Sequence, residues 1–157
     1  NDSALIDYDT NLKVNPPLRT GEDQLALQLA LAEGLVDCIA SHHMPEHWDD
    51  KTCEFEYAKD GMITLESLFG AMNTGKNLDM LITALTENPR TIFQLPSQQI
   101  AVGKNACLTF FNPDTKYVFE EKHIHSLSRN SAFIGKPLKG LVYGIFNNNK
   151  LVVNENT

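Results

Sequence analysis

No stretch of this 157-residue chain comes close to the roughly 20 consecutive apolar residues that a membrane-spanning helix needs. No secretory signal pattern is visible either. Basic side chains are in the minority: 13 Lys and Arg stand against 20 Asp and Glu, for a formal charge of -7 and a pI near 5.1. That balance leaves no basic stripe for a nucleic-acid backbone. Cysteine is scarce, and Cys38, Cys53 and Cys107 are odd in number and widely spaced. This excludes a disulfide scaffold and points to reduced thiols in a cytoplasmic protein. Asn1-Asp2-Ser3 matches a glycosylation acceptor, but the cysteine usage makes that a chance match. An initiator methionine is missing, and Asn1 reads as mid-loop, so processing or truncation is expected. Internal repeats and low-complexity tracts are absent. The length suffices for one domain with its own core.

What is present centres on Val36-Asp37-Cys38-Ile39-Ala40-Ser41-His42-His43-Met44-Pro45-Glu46-His47. A short apolar β-type run, Val36–Ala40, ends in a polar cluster with three imidazoles. Enzymes of the α/β class place chemistry at the C-terminal end of a strand in this way. Upstream, Asn15-Pro16-Pro17-Leu18-Arg19 reads as a rigid extended loop, because a residue before proline is pushed to extended geometry. Thr20 then reads as a helix N-cap, with Glu22 and Asp23 in the first turn. Leu25, Leu29 and Ala32 form one apolar stripe, and Gly34 is a natural stop.

Residues 41–61 form a long polar loop, of a length that is usually functional or disordered. A second helix is expected from Thr64, with Leu65, Leu68, Phe69 and Met72 inward. A third is expected over Leu78 to Leu85. Asn88-Pro89 reads as a cap followed by proline at the first helical position, opening a short helix through Phe93. From Ile100 the pattern turns strand-like. Leu108–Phe111 and Tyr117–Phe119 are β-type, and Leu141–Phe146 and Leu151–Val153 flank Asn147-Asn148-Asn149-Lys150, which suits a hairpin turn. The expected division is 1–96 for the α/β part and 97–157 for a small β part.

These stretches together resemble dihydroorotases, amidohydrolase-superfamily enzymes of pyrimidine synthesis. Asp9–Arg19 is similar to the family's loop ahead of the final barrel strand. Val36–Ala40 is similar to the strand that delivers its catalytic Asp-His-x-Pro-His. Lys51 falls at a family lysine, and Gly61-Met62-Ile63-Thr64-Leu65-Glu66 resembles a Gly-hydrophobic-hydrophobic-x-Leu-Glu segment. Asn88-Pro89-Arg90, Gly103 and Ser128–Gly135 follow in order. The resemblance covers only the C-terminal part of a dihydroorotase. It implies an α/β fold: the C-terminal part of a TIM-barrel metal-dependent hydrolase, followed by strands of a small β-sandwich. The family's His-x-His motif, bridging ligand and two further metal histidines correspond to nothing in this chain.

The family opens and closes a cyclic amide, dihydroorotate to carbamoyl aspartate. A hydroxide held by zinc attacks the ring carbonyl, and the strand-end aspartate serves as ligand and general base. His42 stands at that aspartate. A neutral imidazole has one lone pair, so it cannot ligate a metal and accept the nucleophile's proton at once. His43 matches the next family residue. Glu46 stands where a substrate-touching histidine is usual, with His47 one place later, and Asp60 replaces the proline before Gly61.

The resemblance thus makes His42 the candidate catalytic and metal residue, and Asn15, Arg19, Glu46, His47 and Gly61 candidate substrate contacts. Other readings stay open. His42, His43 and His47 also read as ordinary loop histidines, and His43 and His47 at i,i+4 as a metal pair, which Pro45 between them disfavours. Arg19 reads as a cap partner, and Asn15 as a residue bonding its own turn. Cys38 reads as core, and His123 and His125 as a solvated face. Zinc is the family's cofactor, and none is expected on this chain alone. Expected partners are an N-terminal barrel segment or a second copy, dihydroorotate in the family, and aspartate transcarbamoylase if the chain is a non-catalytic homologue. No nucleic acid and no membrane are expected.

Overall fold

In the computed structural model, which describes residues 1–73 and 77–155, helix α1 (Gly21–Ala32) begins where the sequence places it. The Thr20 hydroxyl accepts from the Asp23 amide, and Asp23 in turn pairs with Arg19 at 3.0 Å. Gly34, at φ 72°, lets the chain leave the helix, and the Leu35 amide reaches back to the Ala30 carbonyl. The expected stripe is a different matter. No residue of α1 is buried, and Leu25, Leu27 and Leu29 are all more than half exposed.

The chain forms two compact units. The first holds Asn1–Val36, Ala40–Leu68 and Phe119–Lys136; the second holds Asp37–Ile39, Phe69–Val118 and Pro137–Thr157. In the first unit the core is small: Ala58, Ile63, Phe119 and Ile124. Its backbone is woven rather than laddered. Met44 donates to Met62, Gly61 to Lys13, Ile63 to Asn130, and Phe119 to Lys136, all near 2.9 Å.

In the second unit a three-stranded antiparallel sheet runs β1 (Leu108–Val118), β2 (Pro137–Asn147), β3 (Lys150–Val153). The two β-type runs expected at 108–111 and 117–119 are one strand. Pro113 has no amide to give, and the register slips between Asn112 and Lys116 before pairing resumes. Asn148 and Asn149, at φ 49° and 58°, make the two-residue turn between β2 and β3. Helix α3 (Leu78–Leu85) is capped by Asn77 and buries Leu81 and Ala84.

Three expectations are corrected. Helix α2 spans only Leu68–Met72; residues 65–67 are a turn, so Leu65 is 60% exposed rather than inward. In α4 (Glu87–Ile92) Pro89 is the third helical residue, not the first, and Asn88 is no cap. Its amide instead donates to the Asp37 carbonyl at 2.7 Å. Residues 36–40 are extended but are not a strand. Among the described residues no strand lies beside them, and the Ile39 amide goes to the Ala84 carbonyl at 3.1 Å. A strand needs at least one hydrogen-bonded neighbour to show as one.

Candidate functional site

All of the site's groups lie in the first unit, and Lys51 organises it. Its ammonium is buried and donates to three carbonyls: Lys59 at 2.7 Å, Thr10 at 2.8 Å and Lys13 at 3.3 Å. An ammonium has three protons, so its donor capacity is used up on backbone. Thr10 Oγ1 returns a bond to the Lys51 carbonyl at 2.6 Å. Burial lowers the Lys51 pKa, while the Glu46 and Asp60 carboxylates pull it back up. Lys13 repeats the device, donating to the carbonyls of Phe55 and Glu56. The long polar loop at 41–61 is therefore tied down by lysine-to-carbonyl bonds rather than by secondary structure.

Asn130 ties the same loop from the other side. Its Nδ2 donates to the Gly61 and Met44 carbonyls, and its Oδ1 accepts from the Glu46 amide and approaches the Ser128 hydroxyl. Gly61 is held in the left-handed half of conformational space, at φ 131°. A Cβ there would lie 2.7 Å from Met44 Cβ.

His43 is the imidazole with a defined role. Its Nδ1 accepts from the Thr64 amide at 3.0 Å and the Leu65 amide at 3.2 Å. The neutral ring therefore carries its proton on Nε2, which faces Ser126 Oγ at 3.5 Å. The Ser126 hydroxyl and amide both donate to Glu66 Oε1, at 2.5 Å and 2.8 Å. Burial alone would raise the Glu66 pKa, but the two Ser126 bonds, the Glu66 amide and the nearby His43 together hold the carboxyl below its usual value. Glu66 Oε2 is buried without a partner among the described residues.

Above this network opens a cleft of about 930 Å³, lined among others by His43, Glu46, His47, Trp48, Ser126 and Arg129. Glu46 and His47 thus share the cleft. Asn15, Arg19, His42 and Gly61 do not line it. His42 is exposed, at φ 48°. Asn15 is exposed, and Arg19 makes its ion pair with Asp23 on the surface. His47 caps a short turn at Trp48–Asp50, its Nδ1 accepting from the Asp49 amide. Outside the cleft, Cys38 is half-buried, and His123 is not a solvated residue. The His123 ring stacks on Phe119 and its Nδ1 accepts from the Glu120 amide.

The donor set does not fit zinc. Among the described residues no group of three His, Cys, Asp or Glu side chains converges. The Nδ1 lone pair of His43 is spent on two amides and its Nε2 carries a proton, so the ring can neither ligate nor act as a base as it stands. What it can do is donate a hydrogen bond toward the cleft.

The two units, one a woven piece with helix α1 and one built on a small antiparallel sheet, each have counterparts in solved structures. L-hydantoinase (dihydropyrimidinase) from Arthrobacter aurescens superposes on 98% of this chain and 36% of its own, with TM-score 0.85 and 22% identity. The fold is therefore similar to one part of that protein, whose like are TIM-barrel amidohydrolases. Sequence then narrows the class. A curated dihydroorotase from Caldicellulosiruptor saccharolyticus is 36% identical over 157 residues, covering 96% of this chain and 36% of that protein. The chain is a homologue of dihydroorotases, similar to one part of them. It spans about a third of the length of the curated relatives it matches. An inactive dihydroorotase-like domain of a multifunctional protein from Chaetomium thermophilum also matches, at TM-score 0.56 and 26% identity, over 85% of this chain and 36% of that one. No family model matches the chain.

The residues that sequence reasoning passed over are Ser126 and the roles of Glu66 and Asn130. Glu66 and Asn130 stand inside the motifs quoted above, but nothing in their spacing says that they meet His43 and Met44. Membrane crossing finds no support in the described helices, none of which is long and apolar enough.

Proposed function

We propose that the chain is the C-terminal third of a dihydroorotase-like cyclic amidohydrolase of pyrimidine biosynthesis, acting in the cytoplasm and catalytically impaired. The reading is supported by His42, which by the motif resemblance stands at the family's catalytic aspartate, in a chain 36% identical to a dihydroorotase with 96% of its length covered. A base that must be anionic near neutral pH is replaced by a group that is not. Glu46 adds a second obstacle, since a carboxylate lining the cleft repels a carboxylate substrate such as dihydroorotate. In this proposal zinc belongs to the family and is not held by this chain alone. Asn15, Arg19, His47 and Gly61 remain proposed substrate-side positions, to be completed by the rest of a barrel.

The division near residue 96 is proposed as one of descent rather than of packing, since residues 119–136 pack with the first unit. A second reading is a non-catalytic homologue that supports a partner, such as aspartate transcarbamoylase. The likeness to an inactive dihydroorotase-like domain favours it. Purified chain with added zinc is expected to show no interconversion of dihydroorotate and carbamoyl aspartate above background, and no zinc-dependent rise in melting temperature. Turnover in the ordinary enzyme range, about 1–1000 per second, would refute the proposal.

A further inference from the structure

The second unit contains a separate polar cleft of about 520 Å³. It lies among Arg90 in the last turn of α4, Gln98 and Asn105 in the connection that follows, and the Asn147–Asn149 turn between β2 and β3. We propose that this cleft binds a small anion, a carboxylate or a phosphate, with Arg90 as its anchor.

Four observations carry the proposal. The first is charge. The chain has 20 acidic residues, yet none lines this cleft, and its only formal charge is the Arg90 guanidinium. The second is that Arg90 is half-buried and, among the described residues, makes no ion pair. Its charge is therefore free to meet a ligand's. The third is donor capacity. Arg90 Nη1 donates to the Pro96 carbonyl at 3.0 Å, one bond that leaves most of its N–H groups for a planar anion. The fourth is the surround, where five side-chain amides supply N–H donors from three segments. No aromatic ring lines the cleft, so it has no stacking platform for a base or a sugar. The volume is that of an ordinary small-molecule site.

Cys107, exposed at the same cleft, gives a direct readout. Inorganic phosphate and succinate serve as the two probes, each titrated against the intact chain while alkylation of Cys107 by iodoacetamide is followed by mass spectrometry. The expected result is that at least one probe slows alkylation of Cys107 saturably and leaves Cys53 unaffected, the effective probe telling phosphate from carboxylate. A hydrogen-bonded ion pair is worth about 1.5–3 kcal/mol, so Arg90→Gln should weaken that binding by about 10- to 100-fold. Because Arg90 also holds Pro96, a second variant is needed. Asn149→Asp keeps a residue that tolerates the left-handed turn and places a carboxylate in the cleft, and it should abolish protection. Protection by neither probe at millimolar concentration, or protection unchanged in Asn149→Asp, overturns the proposal.

Discussion

Glu66 shows how much one carboxylate can hold. It accepts twice from Ser126, and Ser126 in turn meets the proton on His43 Nε2. The lowered Glu66 pKa means that the fold favours its ionised form. The sign of the pH dependence follows. The stabilisation is complete above the ordinary carboxylate pKa and is lost as pH falls through that value toward the lower folded one. Hydrogen bonds to a charged group are worth about 1.5–3 kcal/mol, so Glu66→Gln should cost about 1–2 kcal/mol at pH 7. The cost should shrink as pH falls through the ordinary carboxylate value toward the lower folded one. Urea denaturation of both proteins at pH 7 and at pH 3.5 checks this. An equal difference at both pH values would show that Glu66 acts through shape rather than charge.

At the scale of elements, what could be read from sequence is what local chemistry decides. The Thr20 cap, the Gly34 stop, the α3 limits and the Asn148-Asn149 turn each depend on residues within a few positions, and the structure reproduces them. A strand at 36–40 and an inward face on α1 would each need packing partners, which the described residues do not supply. The site divides in the same way. Glu46 and His47 line the cleft, whereas the bonds of Lys51 to Lys13, Ser126 to Glu66 and Asn130 to Met44 join positions 38 to 86 residues apart. Glycines separate the two kinds of constraint. Gly34→Ala meets nothing within 4 Å and should cost only the left-handed backbone term, about 1–2 kcal/mol. Gly61→Ala adds a collision with Met44 and should cost about 2–4 kcal/mol. Denaturation midpoints at constant m-value test the ordering, and equal costs would show that the 44–62 contact gives way freely.

Over the whole molecule the unsolved quantity is cover. Helix α1 buries no side chain, although it is apolar along its length and well capped. A helix of 12 residues is marginal without tertiary packing, whatever its cap. Leu25, Leu27, Leu29 and Leu35 expose 53–72% of their surface. In the second unit, all four residues of β3 are exposed, Leu151, Val152 and Val153 among them. Each leucine or valine withdrawn from water gains about 1.5–3 kcal/mol, and a domain's whole margin is only about 5–15 kcal/mol. Apolar side chains exposed in this number are what an interface would cover. In a protein of dihydroorotase length the remaining barrel is the natural cover. For the chain as given the expected cover is a second copy, through a symmetric contact that buries α1. Sedimentation at micromolar concentration should then show a dimer or larger species. The double change Leu25→Glu and Leu29→Glu should shift it to monomer, because two carboxylates per copy would have to be desolvated at the contact. A wild-type chain that sediments as a compact monomer and unfolds cooperatively would defeat the argument. It would mean that α1 holds its shape on the strength of its cap and backbone alone.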